Sequence, residues 1–110
     1  MRRVVVTGIG LVTPLGIGNE NVWNRLVAGE SGVRGIQSFD VSDLPAKIAG
    51  QVPRGDKASG LFNPDDWVPP KEQRKMDEFI VFALGAAQQA VEDSGWKPET
   101  EEDQERTGVM

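Results

Sequence analysis

The chain has 110 residues and a formal net charge of −5, with 38% hydrophobic and 26% charged residues, the composition of one small soluble globular domain or a piece of one. It contains neither cysteine nor histidine, which excludes disulfides, thiolate metal sites and a cysteine nucleophile and removes the commonest general base and metal ligand. The acidic balance argues against nucleic-acid binding, and the lack of a run of about 18 apolar residues or a signal-peptide pattern predicts a cytoplasmic chain without membrane insertion.

Arg2 and Arg3 lead into Val4-Val5-Val6-Thr7-Gly8-Ile9-Gly10. A β-branched run closed by glycine predicts a strand over 3–9, buried on both faces of a parallel or mixed sheet. Residues 11–18, with Pro14, Gly16 and Gly18, read as a loop. Asn19 is placed to cap a helix over 19–28, with Glu20 in its first turn and Gly29 just past its end. Val22, Trp23, Leu26 and Val27 follow at helical spacing. An irregular stretch opens at Ser31, with Ile36 and Phe39 as expected core anchors. Ala46, Ile48, Gly50 and Val52 alternate with Lys47, Ala49 and Gln51, which predicts a short strand over 46–52 ended by Pro53. Residues 54–70 are rich in Gly, Pro, Asp and Ser and read as a long surface excursion anchored by Leu61, Phe62 and Trp67. Loops of that length in a compact domain are commonly functional or packed on a neighbour.

A second helix over 77–93 starts either at Pro70, a residue suited to the first helical position, or after Asp77 as N-cap. Met76, Phe79, Ile80, Ala83, Ala87, Ala90 and Val91 keep a 3–4 spacing, and Val81, Phe82 and Leu84 fill the remaining faces. A helix apolar nearly all round predicts burial on several sides. Gly95 ends it, and Trp96 is expected to pack over its last turn. The acidic run Glu99, Glu101, Glu102, Asp103 and Glu105 reads as a solvated loop, and Arg106 to Met110 as the opening of a strand over 106–110, so that the chain looks truncated.

Lys71-Glu72-Gln73-Arg74-Lys75-Met76-Asp77 places three cations in five residues at the expected start of the apolar helix. A helix N-terminus carries partial positive charge, so each cation there would cost about 0.3–1 kcal/mol. Either an acidic partner compensates, or Lys71, Arg74 and Lys75 form a solvated face with no partner.

Other motifs carry no chemistry. Gly8-Ile9-Gly10 after a strand invites a dinucleotide reading, but Thr13 stands where the third glycine of the fingerprint belongs and Val12 where the short-chain dehydrogenase variant needs one. Asp65-Asp66 and Asp77-Glu78 are adjacent pairs that do not face each other on a helix and have no companion base. No metal-ligand spacing occurs, and no Ser or Thr has a recognisable basic partner. No catalytic residue, cofactor site or metal site is therefore expected in this chain.

Val4-Val5-Val6-Thr7-Gly8-Ile9-Gly10 followed by Pro14-Leu15-Gly16 looks like the opening of the β-ketoacyl-acyl-carrier-protein synthases. Trp23-x-x-Leu26-x-x-Gly29-x-Ser31-Gly32 resembles their next block. The segment Lys71 to Asp77 with Phe79 is similar to one in the synthase II branch, and Asp93-Ser94-Gly95 and Arg106-Thr107-Gly108-Val109 continue in order. The resemblance covers the whole chain. It implies an α/β chain, the N-terminal part of a thiolase-like αβαβα fold that is incomplete here, with residues 1–110 as an N-terminal fragment of a ketosynthase domain. It implies an acyltransferase parent, a homodimer, that condenses an acyl thioester with malonyl-acyl carrier protein in fatty acid elongation. The implied Cys nucleophile and two His lie outside these residues, so the fragment itself is expected to be inactive. Lys71, Arg74 and Lys75 are then implied to dock acyl carrier protein, whose recognition helix is acidic. Two other possibilities are the N-terminal part of a type II polyketide ketosynthase or its chain-length partner, and a non-catalytic module binding an acidic partner protein.

Overall fold

The computed structural model describes residues 1–110. Its elements are β1 (Val12–Thr13), β2 (Gly16–Ile17), α1 (Asn19–Val27), β3 (Val33–Gly35), β4 (Ile48–Gly50), α2 (Pro70–Gln73), α3 (Glu78–Ser94) and α4 (Glu101–Glu105). Two 3₁₀ turns, Lys57–Ser59 and Pro64–Asp66, lie between β4 and α2.

Both helices expected from periodicity are present. At the end of α1, Gly29 has φ 74°, its N–H donates to the Leu26 carbonyl at 3.1 Å, and the Glu30 N–H reaches the Arg25 carbonyl at 3.0 Å. That paired closure of the last turn is what a glycine past the helix end permits. The N-terminus differs from expectation. Gly18 holds the cap position, while Asn19 is the first helical residue and turns its amide away, donating to the Ile9 carbonyl at 2.8 Å. The two candidate starts of the second helix are both used. Pro70 opens the one-turn α2, the helix is interrupted over residues 74–77, and Asp77 precedes α3 with extended backbone and no side-chain cap bond.

The strands are short and pair only as antiparallel hairpins. β1 and β2 flank a turn at Pro14-Leu15, inside the expected loop, with Val12 opposite Ile17. The Thr13 hydroxyl closes this turn, donating to the Gly16 carbonyl at 3.0 Å and accepting from the Leu15 N–H at 3.1 Å. The strand expected over 46–52 is realised as β4, and its partner β3 lies in the stretch read as irregular.

The strands expected over 3–9 and 106–110 do not form. Both segments lack a neighbour that could supply a hydrogen-bonded ladder, and without one an extended segment is not a strand. Val4 and Val6 are 93% and 80% exposed. The first segment nevertheless touches α3 closely: a Cβ at Gly8 or Gly10 would run into the carbonyl oxygens of Ala90 or Ala86. The two glycines thus serve close backbone approach. Polar side chains hold the approach in place. The Ile9 N–H donates to Asp93 Oδ2 at 2.9 Å, and Gln89 links the Leu11 carbonyl (3.1 Å) to the Gly18 N–H (3.1 Å).

The core is Phe62 with Ile17, Val68 and Val81, edged by Val12, Val52, Trp67, Met76 and Phe82. Residues 54–70 wrap around it. The Phe62 N–H donates to the Pro53 carbonyl and the Gly55 N–H to the Phe62 carbonyl, at 2.9 and 3.1 Å. Asp56 and Asn63 cap the two 3₁₀ turns, and the Gly60 carbonyl accepts from the Ile17 N–H at 2.9 Å. Phe39, an expected core anchor, is exposed, whereas Ile36 is half-buried. Trp96 stays half exposed, its backbone N–H donates to Ser94 Oγ at the end of α3, and its indole N–H donates to Thr107 Oγ1 at 3.1 Å.

The accessible surface is 8683 Å², against about 6,000 Å² for a compact monomer of this mass. The radius of gyration is 17.1 Å, where about 13 Å would suit a compact domain of some 100 residues. The excess is apolar in part: Val33, Ile48, Phe79, Leu84 and Val91 are all exposed. Burial of α3 on several sides is not what this chain achieves, since only Val81 and Gly85 of that helix are buried. No helix is long and apolar enough to cross a membrane.

Candidate functional site

Lys71, Arg74 and Lys75 sit on a strap strung between two anchors. Val68 is buried in the core and Met76 packs against it, so residues 69–75 arch outward between them. Pro69-Pro70 start the arch: Pro70 occupies the first helical turn, where a missing N–H costs nothing, and the Pro69 carbonyl accepts from the N–H groups of Glu72 and Gln73 at 2.9 and 3.1 Å. Lys71, Arg74 and Lys75 are all exposed.

The structure corrects the electrostatic premise drawn from sequence. The three cations are not in the first turn of the apolar helix, because the helix is interrupted between α2 and α3. Asp77 and Glu78 stand at the start of α3 instead, the sign a helix N-terminus favours. Arg74 and Lys75 follow the C-terminal end of α2, where cations are tolerated or favoured. None of the three cations therefore bears on the N-terminus of α3, and a partner cannot be inferred from a penalty there.

Its members also differ. Lys75 Nζ pairs with both Glu72 carboxylate oxygens, at 3.0 and 3.3 Å. Lys71 and Arg74 have no acid within salt-bridge distance. Glu78 is taken by Arg54, whose guanidinium lies 5.4 Å from the Phe62 ring centre and 5.2 Å from that of Phe82. Partial burial draws the Arg54 pKa down from its usual value, yet a guanidinium remains charged at any physiological pH. Arg54 thereby ties the first turn of α3 to the core. Two uncompensated cations remain on the strap, facing solvent.

Elsewhere the surface offers two open clefts of about 540 and 610 Å³. The first lies between the β3–β4 hairpin and the start of α3 and includes Arg34, Arg54, Gln51 and Glu78. The second lies between α1 and the 3₁₀ turn at 57–59, and includes Asn19, Lys57, Trp67 and Gln89. Lys57 stacks on Trp67 at 4.2 Å, and the Trp67 indole N–H and Asn19 Oδ1 are buried without partners. Neither cleft brings a nucleophile against a base, and no three potential metal ligands converge. Sequence reading missed Gln73, which folds beneath the strap with hydrogen bonds to Asp65 and the Val68 carbonyl; a polar residue between two cations gives no signal of pointing inward.

The family model for the N-terminal domain of β-ketoacyl synthases matches residues 1–110, the full length of the chain. The chain belongs to that family. Among relatives, this ketosynthase N-terminal domain is 57% identical over 110 residues to 3-oxoacyl-[acyl-carrier-protein] synthase 2 of Rhizobium meliloti, covering 100% of the chain and 26% of that protein. It is 43% identical to the mitochondrial 3-oxoacyl-[acyl-carrier-protein] synthase of Arabidopsis thaliana, over 98% of the chain and 26% of the relative. Identity to the synthase 2 of Vibrio cholerae is 41%, over 98% and 24% respectively. The chain thus spans about a quarter of the length of these relatives. Among solved structures it resembles the ishigamide ketosynthase/chain length factor, with a TM-score of 0.70 and 36% identity over 93% of the chain and 23% of that structure. The α/β, thiolase-like fold expected from sequence is confirmed by that match, with the unpaired outer segments noted above.

Proposed function

We propose that this chain is the N-terminal portion of a 3-oxoacyl-acyl-carrier-protein synthase, a homodimeric, cytoplasmic acyltransferase that condenses an acyl thioester with malonyl-acyl carrier protein in fatty acid elongation. The observation that carries this is 57% identity along the whole chain to a protein of that name. The excess apolar surface supports it, because a portion of a larger fold exposes faces that the remainder would cover. Neither Cys nor His occurs here, so these 110 residues offer no candidate for the nucleophile and bases the condensation requires.

The strap is the part of the reaction we assign to this chain. Lys71 and Arg74, exposed and without counter-ions, would attract the acidic helix of acyl carrier protein, raising encounter rate more than final affinity. Lys75, already paired with Glu72, would contribute less. Likeness to a ketosynthase/chain length factor keeps a polyketide synthase as a second reading; condensation assays with fatty acyl against polyketide carrier-protein substrates separate the two.

The test is kinetic, in the full-length synthase. Lys71→Glu combined with Arg74→Glu should raise KM for carrier-protein substrates on the order of tenfold at low salt and flatten the salt dependence, since screening acts over about 8–10 Å. Lys75→Ala should change KM less than either single replacement. Turnover of acyl-CoA or pantetheine thioesters, which lack an acidic helix, should hold. Equal loss with both substrate types would make the cluster structural and remove the docking assignment.

A further inference from the structure

We infer that Gln73 is a positioning residue for carrier-protein docking: it fixes the strap so that Lys71 and Arg74 meet the partner in one register. This inference rests on the docking role proposed above. A helix of four residues cannot hold itself, because nucleation fixes several backbone angles in return for a single hydrogen bond. Groups outside α2 must keep it formed, and Gln73, its last residue, is placed to reach them. Its carboxamide has two N–H donors, and both are used, one to Asp65 Oδ1 at 2.8 Å and the other to the Val68 carbonyl at 2.7 Å. Its backbone N–H is bound as well, to the Pro69 carbonyl at 3.1 Å.

Both acceptors are themselves held. Val68 is part of the buried cluster, and the Asp65 N–H is bound by Asn63 Oδ1 at 3.2 Å in a 3₁₀ turn whose backbone also accepts from Val68. Gln73 thus fastens the strap to a hydrogen-bonded 3₁₀ turn and to a buried core residue of the wrapped segment. Lys71 lies two residues before it and Arg74 directly after, so the two unpaired cations take their positions from this one inward-turned side chain. A loosened strap would keep its charges and its long-range attraction. It would lose the fixed placement, and each docking event would then have to order two long flexible side chains and their backbone.

Separate signatures follow for charge and for placement. In the full-length synthase, Gln73→Met keeps length and helix propensity while removing both donors. It should raise KM for acyl-carrier-protein substrates about three- to tenfold through faster dissociation, with the salt dependence unchanged because no charge is altered. Turnover of small thioesters should stay at the parent value and so report that the fold is intact. If Gln73→Met leaves carrier-protein KM unchanged while Lys71→Glu/Arg74→Glu raises it, docking stands and the positioning role is wrong. If Gln73→Met slows both substrate types equally, the residue is a structural strut only and the inference is again overturned. If the charge reversals themselves have no effect on KM, the docking reading fails, and this inference with it.

Discussion

Residues 53–68 and helix α3 contrast sharply in composition and in fate. The first is a Gly-, Pro- and Asp-rich irregular segment, and it contains Phe62, whose side chain has 0% exposure. The second is apolar on nearly every face, and Phe79 remains 67% and Val91 58% exposed. The wrapped segment satisfies much of its backbone through Asp56 and Asn63 caps and bonds to Pro53 and Ile17, so it can hold a large aromatic that Ile17, Val81 and Phe82 close over from outside it. Helix α3 satisfies its own backbone but packs along one side only, against the wrapped segment, residues 8–13 and the Ile17–Asn19 stretch. Apolar content thus records how much contact a segment requires, whereas burial records how much this chain supplies.

Removing the centre of the wrapped region should have the largest effect. Phe62 stacks with Trp67 at 6.5 Å and meets Phe82 edge-on at 5.1 Å, and Arg54 lies over its ring. Phe62→Ala should cost about 3–5 kcal/mol, enough to unfold a marginal domain. Denaturant titration of the full-length protein and of the 1–110 chain should both show it. A loss below about 1 kcal/mol, as for an ordinary surface change, would mean that the wrapped segment is not the organising centre.

Changes on the outer face of α3 should separate the isolated chain from the complete protein. Phe79→Lys with Val91→Lys should cost the 1–110 chain no more than about 0.5 kcal/mol, as exposed substitutions do, and should reduce its self-association and dye binding. In the longer synthase proposed above, the same pair would bury charge and abolish soluble expression. Equal tolerance in both contexts would show that this face is a true surface, and would count against the chain being one portion of a larger fold.

The same contrast explains what could be read from the sequence. The helices α1 and α3 were legible because their signals are local: 3.6-residue periodicity, Gly29 and Gly95 past the ends, both with positive φ. β1, β2 and β3 were missed because two- and three-residue strands are too short for alternation to register. The strands expected over 3–9 and 106–110 were read from composition that demands a neighbour, and no neighbour is supplied. The composition of α4 suggests a solvated acidic loop, although Thr100, whose hydroxyl accepts from the Asp103 N–H at 3.1 Å, is a recognisable cap with acids in the turn that follows. The cations of the strap were visible as residues, but their relation to the helix was not. The break between Gln73 and Glu78 moved them off the N-terminus of α3, and which of them lacks a counter-ion depended on side-chain geometry at Glu72 and Glu78.

The turn at the tip of the β3–β4 hairpin extends the comparison to the smallest scale, a place where local bonds complete themselves with no burial at all. Asp40 Oδ1 accepts from the Ser42 N–H at 3.0 Å and from its hydroxyl at 2.8 Å. These two bonds, the backbone one first, hold the Asp40 pKa below its ordinary 3.8, against a slight opposing push from desolvation. A carboxylate depressed in the folded state contributes stability that is present above the unfolded value and lost as pH falls through the folded one. Its influence is therefore confined to pH below about 4, and none is expected near neutrality. Ser42→Ala removes the hydroxyl alone and should raise the Asp40 pKa part of the way, while Ser42→Pro, which has no N–H, should raise it further. Carboxyl NMR titration reads both directly. An Asp40 pKa indifferent to Ser42→Pro would mean that the turn owes its shape to the hairpin around it, and that even this exposed tip is not locally complete.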